Sequence, residues 1–443
     1  MPAARPHPPH RRADGRIRPA RVGHGRRRRH ARARAKRLIT MSLRPTRAVG
    51  LLLNLGHAID HMFLLIFASA VGPIAAELGF ARWEDLMPWG AGAFALFGIG
   101  SLPAGRLGDL WGRRRMMLIF FFGMGLAALL VACTRSAWQL AAALTVLGAV
   151  AAVYHPVGIP MLVRGAPRPG FVIGVNGLAG NIGVALSAVV TGFIVKYVGW
   201  RAAFAIPALV SIACGIAFAR AAPPEAMAPA RREVTRSMLP KHALAHVFAV
   251  ITVASISGSM LYNFTTNGNA ELLRERFHGI VEDPALLGAL LAAVYVAGAL
   301  AQLAVGTLLD RVPVKLLYAA IVAMQVPFFA AAMSAQGWAL YALMVAFMIA
   351  VFGAIPFTDA LIVRYVDDTM RSRVSGMRLT VAFGVSSLAV WILGPLVKAA
   401  GFRTLLLLMA GTAMVTLGIV MLLPRSTGVG LDEQAPAIDR APL

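Results

Sequence analysis

Four polar side chains fall within eight positions of one apolar run: Asn54, His57, Asp60 and His61. At about 100° per residue they lie near 0°, 300°, 240° and 340°, inside an arc of roughly 120° on one helix. An ionisable group at a bilayer centre costs about 2.5–3.5 kcal/mol on insertion scales, so such groups are retained for function or neutralised by a partner. A carboxylate one turn from an imidazole can pass a proton. The spacing therefore predicts Asp60, with His57 as its partner, as a proton-carrying pair, with Asn54 and His61 in the same cavity. A neutralised cluster that only packs its helix is the competing reading.

Other apolar runs carry sparser chemistry. In Tyr154-His155-Pro156, His155 lies about as deep as His57, and either faces the same water or marks a kink where His satisfies freed carbonyls. Asn176 and Asn181 flank a stripe of Gly174, Gly177, Gly180 and Gly183, a spacing that means close helix packing. Ser255, Ser259, Tyr262, Asn263 and Thr266 recur every three or four residues. Of these, Tyr262 and Asn263 are the expected substrate contacts, and the serines are expected to bond within their own helix or glue helices together. Tyr295 and Gln302 share one helix face, and Asp359, near a helix end, reads as a gate residue. Cys133 and Cys214 sit in separate runs, so no disulfide framework or Cys-based zinc site is expected. No G-x-x-x-x-G-K-[ST] is present, and no nucleophile pairs with a base or a metal cluster. Neither an enzyme nor a bound cofactor or metal is expected.

The elements that hold these groups must be membrane helices. The 443 residues are 58% hydrophobic and 14% charged, against about 45–50% and 25% in soluble domains. Scanning for runs of about 20 apolar residues gives twelve spans: Ala48–Ala70, Leu86–Gly105, Met116–Cys133, Trp138–Val163, Phe171–Val195, Ala202–Phe218, Ala243–Phe264, Leu286–Leu308, Val314–Ala332, Trp338–Val363, Val374–Val397 and Thr404–Leu423. Even-numbered connections carry roughly twice the Lys and Arg of odd ones, which places them and both termini in the cytoplasm of a bacterial-type inner membrane. The net charge of +24 does not signal nucleic acid. Residues 1–40 hold 14 of the 43 bases and one of the 19 acids; without them 29 bases face 18 acids, or +11. Residues 1–43 are expected to be a disordered Arg-rich extension, untranslated if the true start is Met41. A linker at 221–243 divides two six-helix halves, 44–220 and 244–425, and 426–443 form a disordered tail.

The halves repeat. Pro156 and Arg164 match Pro356 and Arg364 at an offset of 200; Gly105 and Asp109 match Gly306 and Asp310 at 201; Lys196 and Gly199 match Lys398 and Gly401 at 202. Paired bundles with a site at their pseudo-twofold interface are a secondary-transporter architecture.

With Gly105-Arg106-Leu107-Gly108-Asp109-Leu110-Trp111-Gly112-Arg113-Arg114-Arg115 between spans 2 and 3, the chain resembles the major facilitator superfamily over about residues 44–425. The motif there is G-x-L-x-D-R-x-G-R-[KR], with Leu110 where Arg is usual; the second half keeps Gly306, Asp310, Arg311 and Lys315. Tyr154-His155-Pro156, Gly180–Gly183 and Gly56-His57 with Asp60 are similar to fosmidomycin-resistance-type exporters. Leu144 and Asn181 depart from the proton-antiport signatures of drug exporters. The resemblance implies an all-α fold of twelve helices in two pseudo-symmetric six-helix bundles. It also implies gating by Gly105, Asp109, Arg113, Arg114, Asp310, Arg311 and Asp359, with Asp109 locking an outward-open state. The function implied is secondary active transport of a small solute by alternating access, coupled to protons and of efflux type. The solute would be neutral, weakly polar or zwitterionic. Alternatives are a non-transporting sensor on the same scaffold, or an uncoupled or sodium-coupled uptake carrier. The expected partners are the small-molecule substrate, protons and lipid, with no nucleic acid and a monomeric chain.

Overall fold

The computed structural model describes residues 45–164, 166, 169–224, 241–309, 311–365 and 368–423. Residues 1–43, most of the linker and the tail from 426 lie outside the described residues. Every regular element among the described residues is helical. In lipid this follows from the backbone, because a helix satisfies its own N–H and C=O groups where no water can.

Among the described residues, ten helices are long and apolar enough to cross a membrane. The spanning helices are α1 (Arg47–Ser69), α2 (Ala91–Trp111), α3 (Arg113–Ala132), α4 (Ala137–Ala151 with its continuation to Val163), α5 (Pro169–Tyr197) and α6 (Trp200–Ala221) in the first half. In the second half they are α7 (Lys241–Arg276), α8 (Pro284–Leu308), α9 (Val314–Ala332) and α10 (Gly337–Gly353 with Ile355–Tyr365). The segment Asp368–Met421 turns at Gly401, whose φ is +73°, into α11 before it and α12 after it. With that division and α7, which is not among those ten, twelve helices are counted among the described residues.

Local chemistry sets the ends. The Thr46 hydroxyl accepts from the Val49 N–H at 3.3 Å and starts α1; Asp283 caps α8, accepting from Ala285 and Leu286 N–H at 2.9 and 3.0 Å. Gly199, with φ +102°, and its repeat partner Gly401 make the corresponding turns of the two halves.

Two expectations need correction. The stretch from Gly105 to Arg115 is not a loop: α2 continues to Trp111, Gly112 alone turns at φ +91°, and α3 begins at Arg113. Helices outlast the hydrocarbon slab, so a scan that stops at the first charge ends them early. Gly105 is a packing glycine, since a Cβ there would lie 3.3 Å from the Cβ of Pro156; one at Gly108 would lie 2.9 Å from Val157. Nor is α4 continuous. Around Pro156, which has no N–H to donate, a π turn over Tyr154–Gly158 interrupts it.

Within the first half α1 packs on α5, α2 on α4 and α3 on α6; within the second α8 packs on α10. Between the halves α5 lies along α8 and α2 along α11, and the repeat interchanges these two pairings. Exposed apolar side chains such as Leu126, Leu209, Trp391 and Val415 lie on the outside of the bundle, as lipid-facing positions do.

The face carrying the odd-numbered connections is closed. A Cβ on Gly192 of α5 would fall 2.4 Å from the Pro284 oxygen of α8, and one on Gly394 of α11 would fall 2.2 Å from the Glu84 oxygen ahead of α2. Lys196 pairs with Asp283, and Lys398 with Asp85 at 2.5 Å. On the even face, a Cβ at Gly174 of α5 or Gly306 of α8 would meet no described atom within 4 Å.

Candidate functional site

The polar arc of α1 turns inward: Asp60 is 0% exposed and His57 5%. Glycine makes the room. A Cβ on Gly180 of α5 would stand 2.7 Å from His57 Cε1, and one on Gly183 would stand 2.1 Å from the Ala58 oxygen, so both keep α5 against the arc. Of the stripe, Gly180 and Gly183 pack helices, while a Cβ at Gly174 would meet no described atom within 4 Å.

The α4 bulge supplies the other wall. A π turn widens the helix and lets two adjacent residues reach the same neighbour. Tyr154 stacks on His57 with ring centres 4.8 Å apart, and His155 meets the same ring edge-on at 5.0 Å. The kink thus brings both Tyr154 and His155 onto the polar arc of α1. Tyr154 Oη donates to the Leu53 carbonyl at 2.7 Å, and Asn176 Nδ2 donates to Tyr154 Oη at 2.7 Å and Asn54 Oδ1 at 2.9 Å. His57 Nδ1 lies 2.7 Å from the Asn176 carbonyl, which fixes the proton on Nδ1. His57 Nε2 is then the acceptor for His61 Nε2–H at 3.1 Å.

The partner of Asp60 differs from the expectation. His57 is committed to Asn176 and His61, whereas His155 Nε2 lies 3.7 Å from Asp60 Oδ2. A three-residue spacing on α1 favoured His57, but the bulge delivers an imidazole from another helix. Neither Asp60 oxygen has a hydrogen-bond partner among the described residues. A buried carboxylate without donors needs a compensating positive charge.

The remaining candidates separate into smaller groups. Asn181 bonds Gln302 across α5 and α8. Asn263 donates to the Ser259 carbonyl at 2.8 Å and to Ser386 Oγ on α11 at 2.7 Å. Thr266 bonds back to the Tyr262 carbonyl at 2.7 Å, and Tyr295 Oη donates to the Thr266 carbonyl at 3.3 Å. Tyr262 and Tyr295 both stack on Phe352, at 5.6 and 6.1 Å. Of the gate residues, Arg113 donates to the Pro160 carbonyl at 3.1 Å. Arg114 caps the end of α6 through the carbonyls of Ala222 and Ala219 at 2.7 and 2.8 Å, an anchoring task. Arg311 is exposed; Asp310 and the side chain of Asp359 lie outside the described residues.

Asp109 is exposed, and among the described residues it makes no hydrogen bond or ion pair. This suits a carboxylate that engages only when the even face closes. Asp109→Asn is expected to slow flux several-fold with substrate affinity little changed, because it biases one state against the other. Cysteine labelling from the odd face should fall in parallel; unchanged flux and labelling would make the motif a topological anchor only.

The sequence reading missed two ion pairs that join the halves on the closed face. Lys196 and Lys398 already matched in the repeat, and an acid precedes the helix opposite each: Asp283 before α8 and Asp85 before α2. The Lys196 ammonium, helped by the α8 N–H groups, holds the Asp283 carboxyl below the usual carboxylate range. On the same face Arg201 and Trp200 lower that of Glu77.

A family model described as Major Facilitator Superfamily matches residues 53–280, half of the chain. The chain belongs to the major facilitator superfamily. This superfamily protein is integral to the membrane, and its relatives are transporters rather than enzymes. A Streptomyces coelicolor protein described as a probable actinorhodin transporter is 27% identical over 194 residues, which is 42% of this chain and 32% of that protein. The chain thus matches about a third of the length of that curated relative. Among solved structures, the D-xylose-proton symporter aligns with a TM-score of 0.70 at 14% identity, covering 87% of this chain and 99% of the symporter. A bacterial homolog of the human lysosomal transporter Spinster, inward-facing and unoccupied, aligns at 0.69 and 13% identity over 84% of this chain and 96% of that one. At these identities the likeness carries the fold. The superfamily fold is thereby shown, with its two related six-helix bundles.

Proposed function

We propose that this superfamily member is a secondary active transporter of a small solute. Its halves, residues 44–220 and 244–425, rock about the α5–α8 and α2–α11 contacts, and protons moving through the Asp60 cluster drive the cycle in the efflux direction. The carrying observation is Asp60: fully buried, without hydrogen-bond partners among the described residues, and 3.7 Å from His155. A site needing positive charge can take it from one side and release it to the other. A symporter of protons among the structural relatives supports the same coupling. The even face, rich in Lys and Arg, is the cytoplasmic one, so the state described opens inward.

The test is a thermal-shift panel of neutral and zwitterionic solutes on purified protein, followed by flux of each hit in proteoliposomes under an imposed pH gradient. Gradient-dependent movement of a hit supports the reading. Movement indifferent to the gradient, or dependent on sodium, contradicts the coupling; hits without any movement would point to a sensor.

A further inference from the structure

The Asp60 cluster holds more than one carboxylate and one imidazole. His57 and His61 stand one turn apart on α1, the bulge of α4 brings His155 to them, and the ligating atoms of the three lie within 4.8 Å of one another. We propose that His57, His61 and His155, with Asp60 as fourth donor, bind a divalent transition-metal cation of the zinc or cobalt type. This deepens the transport reading by naming a cation class for the same cluster, and rests on it in treating the cluster as the central site.

One edge of the cluster has the spacing a tetrahedral ion needs, and the wider separations, up to 4.8 Å, have to close around it. His57 Nε2 and His61 Nε2 are 3.1 Å apart, close to the separation of roughly 3.3 Å between two nitrogens bound at about 2.0–2.1 Å around zinc. His57 Nδ1–H is held by the Asn176 carbonyl at 2.7 Å. Such an outer hydrogen bond fixes the tautomer of a metal-binding imidazole and leaves Nε2 to the ion. Tyr154 stacks flat on the His57 ring, with an interplanar angle of 11°, and Gly180 leaves it space. Asp60 supplies an oxygen without a hydrogen-bond partner among the described residues, 3.7 Å from His155 Nε2. Imidazole suits zinc, copper, nickel and cobalt, while calcium and magnesium prefer all-oxygen sets. Four protein donors complete a tetrahedron, so the ligand is the bare cation rather than a chelate. His61 and His155 are not fully buried, the His155 side chain being 11% exposed.

The experiment uses the full chain, purified in detergent and stripped with a chelator. Cobalt(II) is titrated against visible ligand-field absorption, and zinc binding is measured by equilibrium dialysis. Expected is one saturable site with tetrahedral bands and no sulfur charge-transfer band. His61→Gln and His155→Gln should each weaken it tenfold or more, whereas His278→Gln, on an exposed connection, should not. The histidines of the first 40 residues are a background common to all variants. Should a variant fail to fold, the wild-type spectrum decides: octahedral bands, or no binding, overturn the proposal. Binding that persists undiminished in the folded His61 and His155 variants also overturns it. Proton-driven flux in chelator separates this outcome from the transport reading, because flux that survives where cobalt fails to bind removes the metal site alone.

Discussion

Asp60→Asn is expected to abolish accumulation against a gradient while leaving exchange between equal pools intact. Asn keeps the shape of the side chain but carries no exchangeable acidic proton. The site would then reorient with substrate, yet nothing would tie that motion to the proton gradient. The driving force at stake is large: one charge crossing the full potential is worth about 2.3 kcal/mol per 100 mV, or roughly fifty-fold in concentration. Counterflow of labelled solute and uptake under a pH gradient, measured on the same proteoliposomes, separate the two behaviours. His155→Gln should also impair accumulation, because His155, not His57, faces the carboxylate at 3.7 Å. A folded Asp60→Asn protein that still concentrates solute would remove Asp60 from the coupling step. A structural Asp60 would show instead as poor yield and lowered thermal stability with coupling intact.

The second large effect is expected at Gly192→Leu. A Cβ there falls 2.4 Å from the Pro284 oxygen and 3.2 Å from the Gly288 Cα, so backbone would have to move. Overpacking of this kind costs about 1–3 kcal/mol, a population shift of roughly five- to a hundredfold. The closed odd face would open, and flux should fall by a similar factor. Gly174→Leu is the matched control on the same helix, since its Cβ meets no described atom within 4 Å. By contrast Lys196→Ala should matter little: its pair with Asp283 is about a third exposed on each side, and solvent and salt screen such pairs. Because the Asp283 carboxyl is held below its ordinary range, the pair is present above about pH 4 and is lost as pH falls through that lowered value. Changes in flux between pH 5 and 8 therefore do not arise there. Equal flux in the Gly192 and Gly174 variants would show that close packing does not hold this face.

Much of the fold was legible because lipid imposes simple rules. Apolar runs, Lys and Arg asymmetry and three repeat matches led to twelve helices in two related halves, and the Gly199 and Gly401 turns carry the same left-handed backbone in both. The inward polar arc of α1 was legible too, since helix periodicity needs only one segment. What escaped was cross-helix geometry. Nothing local says that α4 opens into a π turn at Tyr154 and directs both Tyr154 and His155 at His57. Three histidines drawn from positions 57, 61 and 155 have no motif spacing, so no metal-ligand set was read. The charged motif at the end of α2 misled for another reason: helices project beyond the slab, and Gly105 and Gly108 serve α2–α4 contact instead of a turn.

Alternating access is tested most directly by two distances followed in one sample. After Cys133 and Cys214 are replaced with Ser, spin labels at Arg135 and Gln336 report the odd face, and labels at Arg106 and Thr307 report the even face; all four positions are exposed. Reconstituted protein is compared at pH 8 and pH 5, and in the Asp60→Asn background, which is fixed in the neutral form. The account expects reciprocal changes: as the odd-face distance lengthens the even-face distance shortens, and Asp60→Asn at pH 8 reproduces the pH 5 populations. Two distances that stay fixed, or move in the same direction, would contradict it.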